Sequence, residues 1–544
     1  MAEAGRTHTE LVLDGLARDP GRVALRCGEV ALTAQECLDT VYRLARALDR
    51  VGLGHGDGVT VFAGNTPEAL LVRPAANLLG CRVAMPHREL PVTDLVALTA
   101  FADTAALVYD PVRCTAAAEA VARALPSVAL LPLGPPAGGG TTRGTALGTD
   151  LLDLAAACSP APLEPRGRPE DVMAVRFTSG TTGRPKGVLR RFARPARPAL
   201  LSGACFLLCT PLSHGGGATA DLALAAGGTV VLQEGFAAEE VLAAVERHRV
   251  SRAYLPPHLL YRLLDHPLLA TTDTGSLRRV GYTGCPPSPR RLAEATRRLG
   301  RVLHQTYSLT ECGPVSRLSP DEHLDPRLLT TAGRPYPDTE VRVLDEEGLP
   351  LPPGRTGEIC VRTPTAMAGY WRDPESTGRV LREGWLHTGD LGSLDAAGYL
   401  TVAGRRDPMA IREGHNVFPH EVEEPLRSHP DVREAVMFAT VDPDRLERVH
   451  AAVAVGPRSR VTAEQLRHWA REHGDPRCAP DSVLLLPAIP LDALGKPDLR
   501  ALRTLAGERA VGERAEGERA NGEPAGGAAG VTAATLSTGA HGRA

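Results

Sequence analysis

Lysine is nearly absent from this sequence of 544 residues. Of its 61 basic residues only Lys186 and Lys496 are lysines, and all the others are arginines. Because arginine has replaced lysine at ordinary surface positions, a retained lysine is a candidate for a site that needs a compact ammonium group rather than a planar guanidinium. Chance retention is the alternative for either lysine alone, so its position in the sequence has to decide.

The sequence also lacks any segment typical of export or membrane insertion. Its first residues, MAEAGRTHTELVLDG, do not have the basic-then-apolar order of a signal peptide, and no apolar stretch is long enough to cross a bilayer. The net charge of -3 gives no sign of a nucleic-acid or membrane-surface binder. The eleven cysteines form no C-x-x-C pair, which favours a reducing compartment. We therefore predict a cytoplasmic protein without a membrane span. Cys205 and Cys209 could share a helix face, where packing is favoured over metal binding.

Strand-then-helix alternation dominates the first part of the chain. Between residues 20 and 165 apolar runs such as VTVFAG and AALVYD alternate with helical stretches such as AQECLDTVYRLARALDRVG. The pattern resumes over 202–310, where TVVLQEG precedes AAEEVLAAVERHR. This alternation predicts an α/β protein of layered subdomains with parallel sheets. The chain is too long for one hydrophobic core, so two or more domains are expected.

The later part of the chain follows other patterns. From about residue 330, short strands separated by turns (TEVRVLDEEGLPLPPGRTGEICVRT) predict a small β-rich part. The block from about 408 to 505 has its own strands and helices (VREAVMFATV, RVHAAVAV, TAEQLRHWAREHG) and is typical of a small α+β domain. The tail repeats AGERAVGERAEGERANGEPAGG without large apolar residues. Such a segment cannot bury enough surface to fold, so it is predicted to be disordered.

The main chemical signal is the segment FTSGTTGRPKG at 177–187, directly after the apolar run 172–175. Its three glycines permit tight turns, and its four hydroxyls, together with backbone N–H groups, can donate to phosphate oxygens. A Walker P-loop would need glycine before the lysine and Ser or Thr after it. Here Pro185 and Gly187 flank Lys186, so a Walker loop is excluded. A plain glycine-threonine turn is the alternative, which the presence of one of only two lysines disfavours.

This segment resembles the phosphate loop of the superfamily of acyl-CoA synthetases, peptide-synthetase adenylation domains and luciferases. Other motifs of that family follow in order over about residues 20–500: CTPLSHGGG (209–217), TGCPP (283–287), YSLTE (307–311), GEICVRTPTAMAGYW (357–371), TGD (388–390) and GRRD (404–407). Lys496 lies where the family keeps its C-terminal lysine. Both lysines therefore fall at positions that the family's chemistry uses, and the Ala-, Gly- and Arg-rich composition resembles actinomycete acyl-CoA synthetases.

The resemblance implies an enzyme that uses ATP and Mg²⁺ to convert a carboxylic acid into an acyl-adenylate, and that then transfers the acyl group to coenzyme A. It assigns catalysis to Lys496, Glu311, Thr310 and His214, and the metal to Glu311 and Thr178. It assigns nucleotide binding to Thr178, Ser179, Gly180, Thr181, Thr182, Lys186, Gly284, Cys285, Pro286, Tyr307, Ser308, Asp390 and Arg405.

Each of these roles has a physical reason. Attack of a carboxylate on the α-phosphate joins two anions, so charge neutralisation and positioning are the main tasks. Lys496 would bridge the acid and the α-phosphate, and Glu311 would hold Mg²⁺, which prefers carboxylate and phosphate oxygens. Tyr307 would stack on adenine, and Asp390 would accept hydrogen bonds from the ribose hydroxyls. The segment 209–217 places His214 as a gate of the acyl pocket, with a buried structural histidine as the equal alternative.

The resemblance also implies a domain plan. An N-terminal adenylation domain with the ATP and acyl pockets is expected over 1–404, a hinge over 405–407 around Asp407, and a mobile C-terminal lid domain over 408–506. The low-complexity tail is expected over 507–544. The active site would lie in the cleft between the two domains, where water can be excluded from the adenylate.

Some residues depart from the family pattern. Pro408 follows the hinge and restricts the conformation of Asp407. Glu413, before Gly414, replaces one of two glycines on the path of the pantetheine arm. We therefore expect intact adenylation, with a slower thioester step or transfer to a separate carrier protein or acceptor enzyme as the alternative. Ser308 replaces a glycine and should narrow one wall of the acyl pocket.

The identity of the acid is left open by the sequence. Aromatic residues make up 4% of the chain, and the segments expected around the pocket consist mostly of small residues. That leaves room for a fatty acyl chain or for a ring system such as a natural-product acid. No residue that could anchor an amino group is evident, which disfavours amino-acid substrates. A catalytically inactive interaction protein is a third reading, disfavoured because the residues assigned to catalysis are present.

Overall fold

The computed structural model describes residues 6–88, 90–135, 148–178, 186–193, 202–405, 410–412, 415–441, 447–456, 459–492 and 496–507. The chain divides into two compact units, 1–497 and 498–544. Within the described part of the second unit, residues 499–507 form a helix, and the side chain of Asp498 accepts the backbone N–H groups of Arg500 and Ala501 at its start. Among the described helices, none combines the length and the apolar character needed to cross a bilayer.

The first unit contains helices and strands throughout. The helices are α1 His8–Ala17, α2 Ala34–Arg50, α3 Pro67–Leu78, α4 Val92–Phe101, α5 Thr115–Ala124, α6 Leu151–Ala156, α7 Gly215–Ala225, α8 Ala238–His248, α9 Pro257–Asp265, α10 Pro289–Leu299, α11 Pro374–Val380, α12 Pro419–Ser428 and α13 Ala463–His473. The strands are β1 Val23–Cys27, β2 Val30–Thr33, β3 Gly58–Phe62, β4 Arg82–Ala84, β5 Thr104–Tyr109, β6 Ala129–Pro132, β7 Val172–Thr178, β8 Lys186–Arg191, β9 Cys205–Leu208, β10 Thr229–Leu232, β11 Arg252–Tyr254, β12 Arg279–Tyr282, β13 Leu303–Leu309, β14 Gly313–Leu318, β15 Arg334–Pro335, β16 Glu340–Leu344, β17 Gly357–Arg362, β18 Leu381–Arg382, β19 Trp385–Leu394, β20 Leu400–Arg405, β21 Ala410–Arg412, β22 His415–Val417, β23 Val432–Val441, β24 Glu447–Val455 and β25 Ser482–Leu486.

Two large sheets form the N-terminal part. The first has the strand order β6-β5-β3-β4-β7-β8, and the second has the order β15-β14-β13-β12-β11-β9-β10-β1-β2. Their central strands are parallel, and antiparallel pairs occur at the edges, as between β7 and β8 or β13 and β14. All five residues of β3 are buried, as expected for a parallel strand covered on both faces.

Local sequence explains why the helices begin where they do. Helix α2 starts after Thr33, whose side chain accepts the N–H of Glu36 while the Glu36 carboxylate accepts the N–H of Thr33. This capping box satisfies two groups that the first helical turn leaves unpaired. Along α2 the buried residues recur at spacings of three and four, as at Val41, Ala45 and Leu48. That period places one apolar stripe against the core.

Smaller sheets complete the first unit. The strands β16 to β20 form a five-stranded sheet, which shares an apolar core with Val188 of β8 and Val315 of β14. The strands β23, β24 and β25 form a three-stranded sheet. The latter packs with α12 and α13 around another core, made of residues between Ala410 and Val483. A separate core is the mark of a domain. The expectation of an α/β protein with a large N-terminal domain, a β-rich part and a C-terminal α+β domain is therefore confirmed.

One local expectation is wrong, and others lie outside the described residues. Cys205 begins strand β9, so it does not share a helix face with Cys209. A short apolar run fits a buried strand and a helix equally well, and here pairing with β10 and β11 decides for the strand. The proposed hinge residue Asp407 and the tail beyond 507 fall outside the described residues, so the boundaries of the domain plan stay a prediction.

Candidate active site

The phosphate-loop segment begins where strand β7 ends. Strand β7 pairs in parallel with β4, and it pairs antiparallel with β8, so that the backbones of Thr178 and Lys186 face each other. The predicted phosphate ligands Ser179, Gly180, Thr181 and Thr182 lie outside the described residues, as does the side chain of Thr178. Ligands of open α/β sheets bind at the carboxyl ends of the parallel strands, and Thr178 is the carboxyl end of β7.

Lys186 and Glu311 both contact one tyrosine, Tyr370. The Lys186 ammonium is 5.0 Å from the centroid of the Tyr370 ring, and the Tyr370 hydroxyl donates to Glu311 Oε1 at 3.0 Å. Burial raises the pKa of Tyr370, and the neighbouring carboxylate of Glu311 adds to that rise. The hydroxyl therefore stays protonated and acts as a donor. Tyr370 thus contacts both a cation and a carboxylate, and the cation, Lys186, is part of the phosphate-loop segment.

Arg190 holds the backbone of Thr310, the residue before Glu311, in place. It is 5% exposed, and its guanidinium donates to the carbonyl oxygens of Thr310 and Thr365. The Met367 N–H also donates to the Glu311 carbonyl, at 2.6 Å. The predicted catalytic pair Thr310–Glu311 is therefore tied to the segment that leads to Tyr370.

The carboxylate of Asp390 is held from two sides. Tyr307 Oη donates to Asp390 Oδ2 at 2.5 Å, and Arg405 Nε contacts Asp390 Oδ1 at 3.0 Å. Asp390 is 6% exposed. Burial raises its pKa, and the charge of Arg405 opposes that rise. The structure therefore brings together the predicted nucleotide-binding residues Tyr307, Asp390 and Arg405.

The adjacent strands β12 and β13 also end here. Thr283 Oγ1 and Ser308 Oγ lie 3.2 Å apart, which joins the TGCPP and YSLTE segments side by side. Gly284 has a φ of +104°, and a Cβ added there would meet no atom within 4 Å. Burial raises the pKa of Cys285 to about 12, so this thiol stays protonated. Pro286 is exposed, and the segment borders open space.

His214 precedes helix α7 and stacks on a second imidazole. The His214 and His87 ring centroids are 5.3 Å apart, with 21° between the planes. Burial lowers the pKa of His214 to about 4, and the neighbouring His87 and the charges of Lys496 and Arg176 add to this effect. The ring is therefore neutral near pH 7. Among the described residues no group hydrogen-bonds its buried Nε2 atom.

The loop that carries His214 is anchored by Asn65, which follows β3. Its amide donates to the carbonyl oxygens of Thr210 and Gln233 at 2.9 and 2.8 Å, and its oxygen accepts the Leu212 N–H at 2.9 Å. Asn65 is 4% exposed. The carboxyl ends of strands from both large sheets are thereby joined beside His214.

Lys496 lies in a tight turn that Asp492 closes. Its backbone N–H donates to Asp492 Oδ1 at 2.9 Å, and its carbonyl accepts the Asp492 N–H at 2.6 Å. The side chain is exposed, and its charge affects the pKa values of both His214 and Cys285. The residues predicted along the coenzyme A path, Glu413 and Gly414, lie outside the described residues.

Asp221, in α7, is not available as an anchor for a substrate amine. Its Oδ2 atom contacts Arg73 Nη2 at 2.6 Å and His8 Nε2 at 3.4 Å. The carboxylate is buried, and the charge of Arg73 helps to hold its pKa below the usual range despite the opposing effect of burial. It therefore acts as a structural charge that ties α1, α3 and α7 together.

Sequence reasoning missed several residues of this site. Tyr370, Arg190 and His87 are brought to it by long-range packing. The arginine-rich run 190–197 favours a solvated basic face over contact with coenzyme A phosphates, whereas Arg190 is buried. Tyr370 does stand in the GEICVRTPTAMAGYW motif, which was a signal that the motif bears on the site. For His87 and Arg190 no pattern in the sequence distinguishes them from surface residues.

Comparisons with known proteins show which family the sequence matches. The sequence matches the family described as AMP-binding enzyme over residues 14–371, and the AMP-binding enzyme C-terminal domain over 421–496. The medium/long-chain-fatty-acid–CoA ligase FadD8 of Mycobacterium tuberculosis is 33% identical over 530 residues, which cover 93% of this chain and 91% of that protein. The solved structure of the amide bond synthetase McbA from Marinactinospora thermotolerans has a TM-score of 0.83 and 38% identity, and the match covers 92% of this chain and 99% of that one. The fatty acid–[acyl-carrier-protein] ligase ScoC of Streptomyces coeruleorubidus is 37% identical over 304 residues, or 53% of this chain and 59% of that protein.

Proposed function

The chain belongs to the AMP-binding enzyme family, and from this membership we propose that it activates a small carboxylic acid with ATP and then transfers the acyl group to coenzyme A. In the first step a carboxylate oxygen attacks the α-phosphorus, and the bond to the β-phosphate oxygen breaks. Acyl-adenylate and pyrophosphate are the products. In the second step the thiol sulfur attacks the acyl carbonyl, AMP leaves, and the thiol proton is released.

The observation that carries the proposal is the surroundings of the two lysines. Lys186 lies against the Tyr370–Glu311 pair beside the phosphate-loop segment, and the charge of Lys496 acts on His214 and Cys285. A reaction that joins two anions needs positively charged protein groups beside both reactants. In this proposal Lys186 holds the departing phosphates, and Lys496 bridges the acid and the α-phosphate.

The nucleoside half of ATP is assigned to the Asp390 cluster. Asp390 is a buried carboxylate that can accept hydrogen bonds from the ribose hydroxyls, and Tyr307 and Arg405 keep its two oxygens in place. A charged acceptor forms hydrogen bonds about twice as strong as a neutral one. The ring of Tyr307 is proposed to stack on adenine, next to Gly284 and Ser308.

The residues present fit a magnesium ion. Glu311 offers a carboxylate beside the phosphate-loop segment, and carboxylate and phosphate oxygens are the ligands that Mg²⁺ prefers. We propose Glu311, with the Thr178 hydroxyl, as the protein ligands. A bound Mg²⁺ would neutralise charge on the phosphates, whereas Tyr370 keeps the Glu311 carboxylate oriented through its hydrogen bond to Oε1.

His214 is proposed to border the acyl group. A neutral imidazole next to Lys496 adds no repulsion for the lysine and presents a flat surface together with His87. The acid itself is proposed to be a fatty acid or a natural-product acid. The relative named as a fatty-acid–CoA ligase favours the first, and the mostly small residues in the segments expected around the pocket leave room for the second.

Transfer to an amine is a second candidate for the later step, and a carrier protein is a further acceptor. The amine is favoured by the sequence identity of 38% with an amide bond synthetase, in a match that covers 92% of this chain and 99% of that one. The carrier is favoured by the shorter similarity to ScoC. Pro408 and Glu413, which the sequence places at the hinge and on the thiol's path, give a reason for a weakened coenzyme A step.

One incubation series separates these outcomes. The full chain is given ATP, Mg²⁺ and a panel of fatty, aryl and polycyclic acids, without acceptor, with coenzyme A or with small amines. Pyrophosphate release and mass spectrometry of the products are followed. Acyl-CoA in the presence of coenzyme A supports the proposal, whereas amide formation that outpaces it supports the second candidate. The absence of acid-dependent pyrophosphate release with any acid would contradict adenylation by this enzyme. Glu413→Gly tests the steric argument, because an unchanged thioester yield removes it.

A further inference from the structure

The turn that presents Asp390 is an irregularity in the sheet between β17 and β19. Along the ladder Cys360 pairs with His387, but Glu358 pairs with Leu391. Glu358 and Cys360 are two residues apart on β17, but their partners Leu391 and His387 are four residues apart on β19. The residues 388–390 therefore bulge out of this ladder. Gly389, in the middle of this bulge, has a φ of +71°. Bulges of this kind re-aim a side chain and lose ladder hydrogen bonds, so other groups have to satisfy the backbone.

Glu358, on the neighbouring strand β17, accepts a hydrogen bond from the backbone of the bulge. Its Oε1 atom accepts the Gly389 N–H at 3.2 Å, and its Oε2 atom lies 3.1 Å from His387 Nδ1. The side chains of Glu358 and His387 are 17% and 16% exposed. The Thr388 hydroxyl adds to the arrangement, since it donates to the Ile359 carbonyl at 2.7 Å and accepts the Asp390 N–H at 3.0 Å.

The same place has the composition of a metal site. One ligand atom each from Glu358, Cys360 and His387 lies within 4.8 Å of the others. However, both oxygens of Glu358 already have hydrogen-bond partners in the bulge. Cys360 Sγ lies 3.4 Å from His387 Nδ1. Together these contacts account for the close approach of the three side chains without an ion, and they point to a different role.

We propose that Glu358 and His387 are positioning residues for the nucleotide: they hold the bulge 388–390 in the shape that aims Asp390 at the ribose. His387 fixes one oxygen of Glu358, and the other oxygen of Glu358 fixes Gly389, the residue next to Asp390. Without Glu358 the Gly389 N–H loses its partner and the bulge can relax. The inference rests on the proposed role of Asp390 in binding the ribose hydroxyls.

The test compares ATP with 2′,3′-dideoxy-ATP, which lacks both hydroxyls. The ratio of kcat/KM for the two nucleotides is measured from pyrophosphate release with wild-type protein, Glu358→Gln, Glu358→Asp and Asp390→Ala. Glu340→Gln is the matched control, because Glu340 is a carboxylate on the neighbouring strand β16 whose partner, Arg362, lies on the surface. The thermal transition of each variant is recorded.

We expect Asp390→Ala to abolish the preference for ATP and Glu358→Gln to reduce it about tenfold, as for a lost hydrogen bond to a charged group. Glu358→Asp should recover part of the preference, and Glu340→Gln should leave it unchanged. If Glu358→Gln lowers kcat/KM equally for both nucleotides, or for neither, the positioning role is refuted. If Asp390→Ala itself keeps the preference, the ribose role in the proposed function fails, and this inference with it. Should Glu358→Gln not fold, His387→Ala takes its place with the same expectation.

Discussion

Tyr307 donates a hydrogen bond of 2.5 Å to Asp390, and this bond joins the end of β13 in the nine-stranded sheet to β19 in the five-stranded one. Two motifs that lie 83 residues apart in the sequence are therefore held together by one hydrogen bond. Tyr307→Phe keeps the ring and removes the bond. We expect KM for ATP to rise about tenfold, because the acceptor is charged, while kcat changes little. Steady-state pyrophosphate release measures both constants.

Tyr399→Phe is the matched control for this variant. Tyr399 also donates to a carboxylate, Glu322 Oε1, at 3.0 Å, but it has no proposed contact with ATP. Its loss should leave KM unchanged. An equal rise of KM in the two variants would show that the effect of Tyr307→Phe is a general loosening of the fold.

Lys496 provides a sharper test of adenylation. Its side chain is exposed, so Lys496→Ala should not change the melting temperature. If Lys496 neutralises charge in the transition state, pyrophosphate release should fall about 10²- to 10³-fold, the range seen when one such group is removed. Lys496→Arg should recover only a part, since a planar guanidinium does not replace a compact ammonium. Arg460 is an exposed cation of the same domain, so Arg460→Ala is the control and should leave the rate unchanged. A rate that persists in Lys496→Ala would contradict the assignment.

His214 should make the protein sensitive to acid. Its pKa in the folded protein is about 4 and its ordinary value is 6.5, so between these values the unfolded chain binds the proton first. Stability that is present above pH 6.5 is therefore lost as the pH falls towards 4. Between pH 7 and pH 5 this one group should contribute about 2 kcal/mol of the loss in unfolding free energy. Urea denaturation of wild type and His214→Gln at the two pH values measures the difference.

The control for the acid experiment is His468→Gln. The side chain of His468 is 70% exposed and pairs with Glu472 on the surface. This substitution should leave the acid-induced loss as in the wild type. If His214→Gln is as sensitive to acid as the wild type, the ring is not buried in its neutral form.

The C-terminal domain contains a buried ion pair whose loss should be costly. Arg427 Nη2 lies 2.8 Å from Glu423 Oε2, and the two side chains are 11% and 8% exposed. Glu423 Oε1 also accepts the Met437 N–H, and Arg427 donates to the Ala435 carbonyl. Arg427→Met leaves a buried carboxylate without its cation, which should lower the unfolding free energy by about 3 kcal/mol or more.

A second substitution distinguishes loss of the charge pair from loss of packing. The double variant Glu423→Gln/Arg427→Met removes both charges and should recover much of the stability in urea denaturation. Arg467→Met breaks a pair with the exposed Glu464 in the same domain, in which the Arg467 side chain is itself 28% exposed, and it should cost less than about 1 kcal/mol. Equal losses for Arg427→Met and the double variant would mean that packing, and not charge, is responsible.

The sequence was informative where chemistry restricts the choice of residue. Lys186 and Lys496 stand out against the arginine-rich composition, and the order of motifs located Glu311 and Asp390. Strand-then-helix alternation predicted the parallel sheets, because strands buried on both faces read as apolar runs. The run at Cys205 was misread, since four apolar residues fit either state and only the neighbouring strands decide.

Contacts between distant residues could not be predicted. Arg190 binds the carbonyl oxygens of Thr310 and Thr365, which are 120 and 175 residues away, and nothing in the local sequence specifies these acceptors. The stacking of His87 on His214 depends on how the two large sheets pack together. Such pairings are properties of the tertiary fold, so motifs identify the reacting residues but not the residues that support them.

Asn65 has a consequence for how this site can change. Its one amide group fixes three backbone groups, those of Thr210, Leu212 and Gln233, which border the proposed acyl pocket. The main-chain outline of the pocket is therefore set independently of the side chains that face the acid. Side chains on this frame can be exchanged, by evolution or by design, while its shape is kept. Altered acid preference should thus be reached through substitutions around His214, with Asn65 left in place.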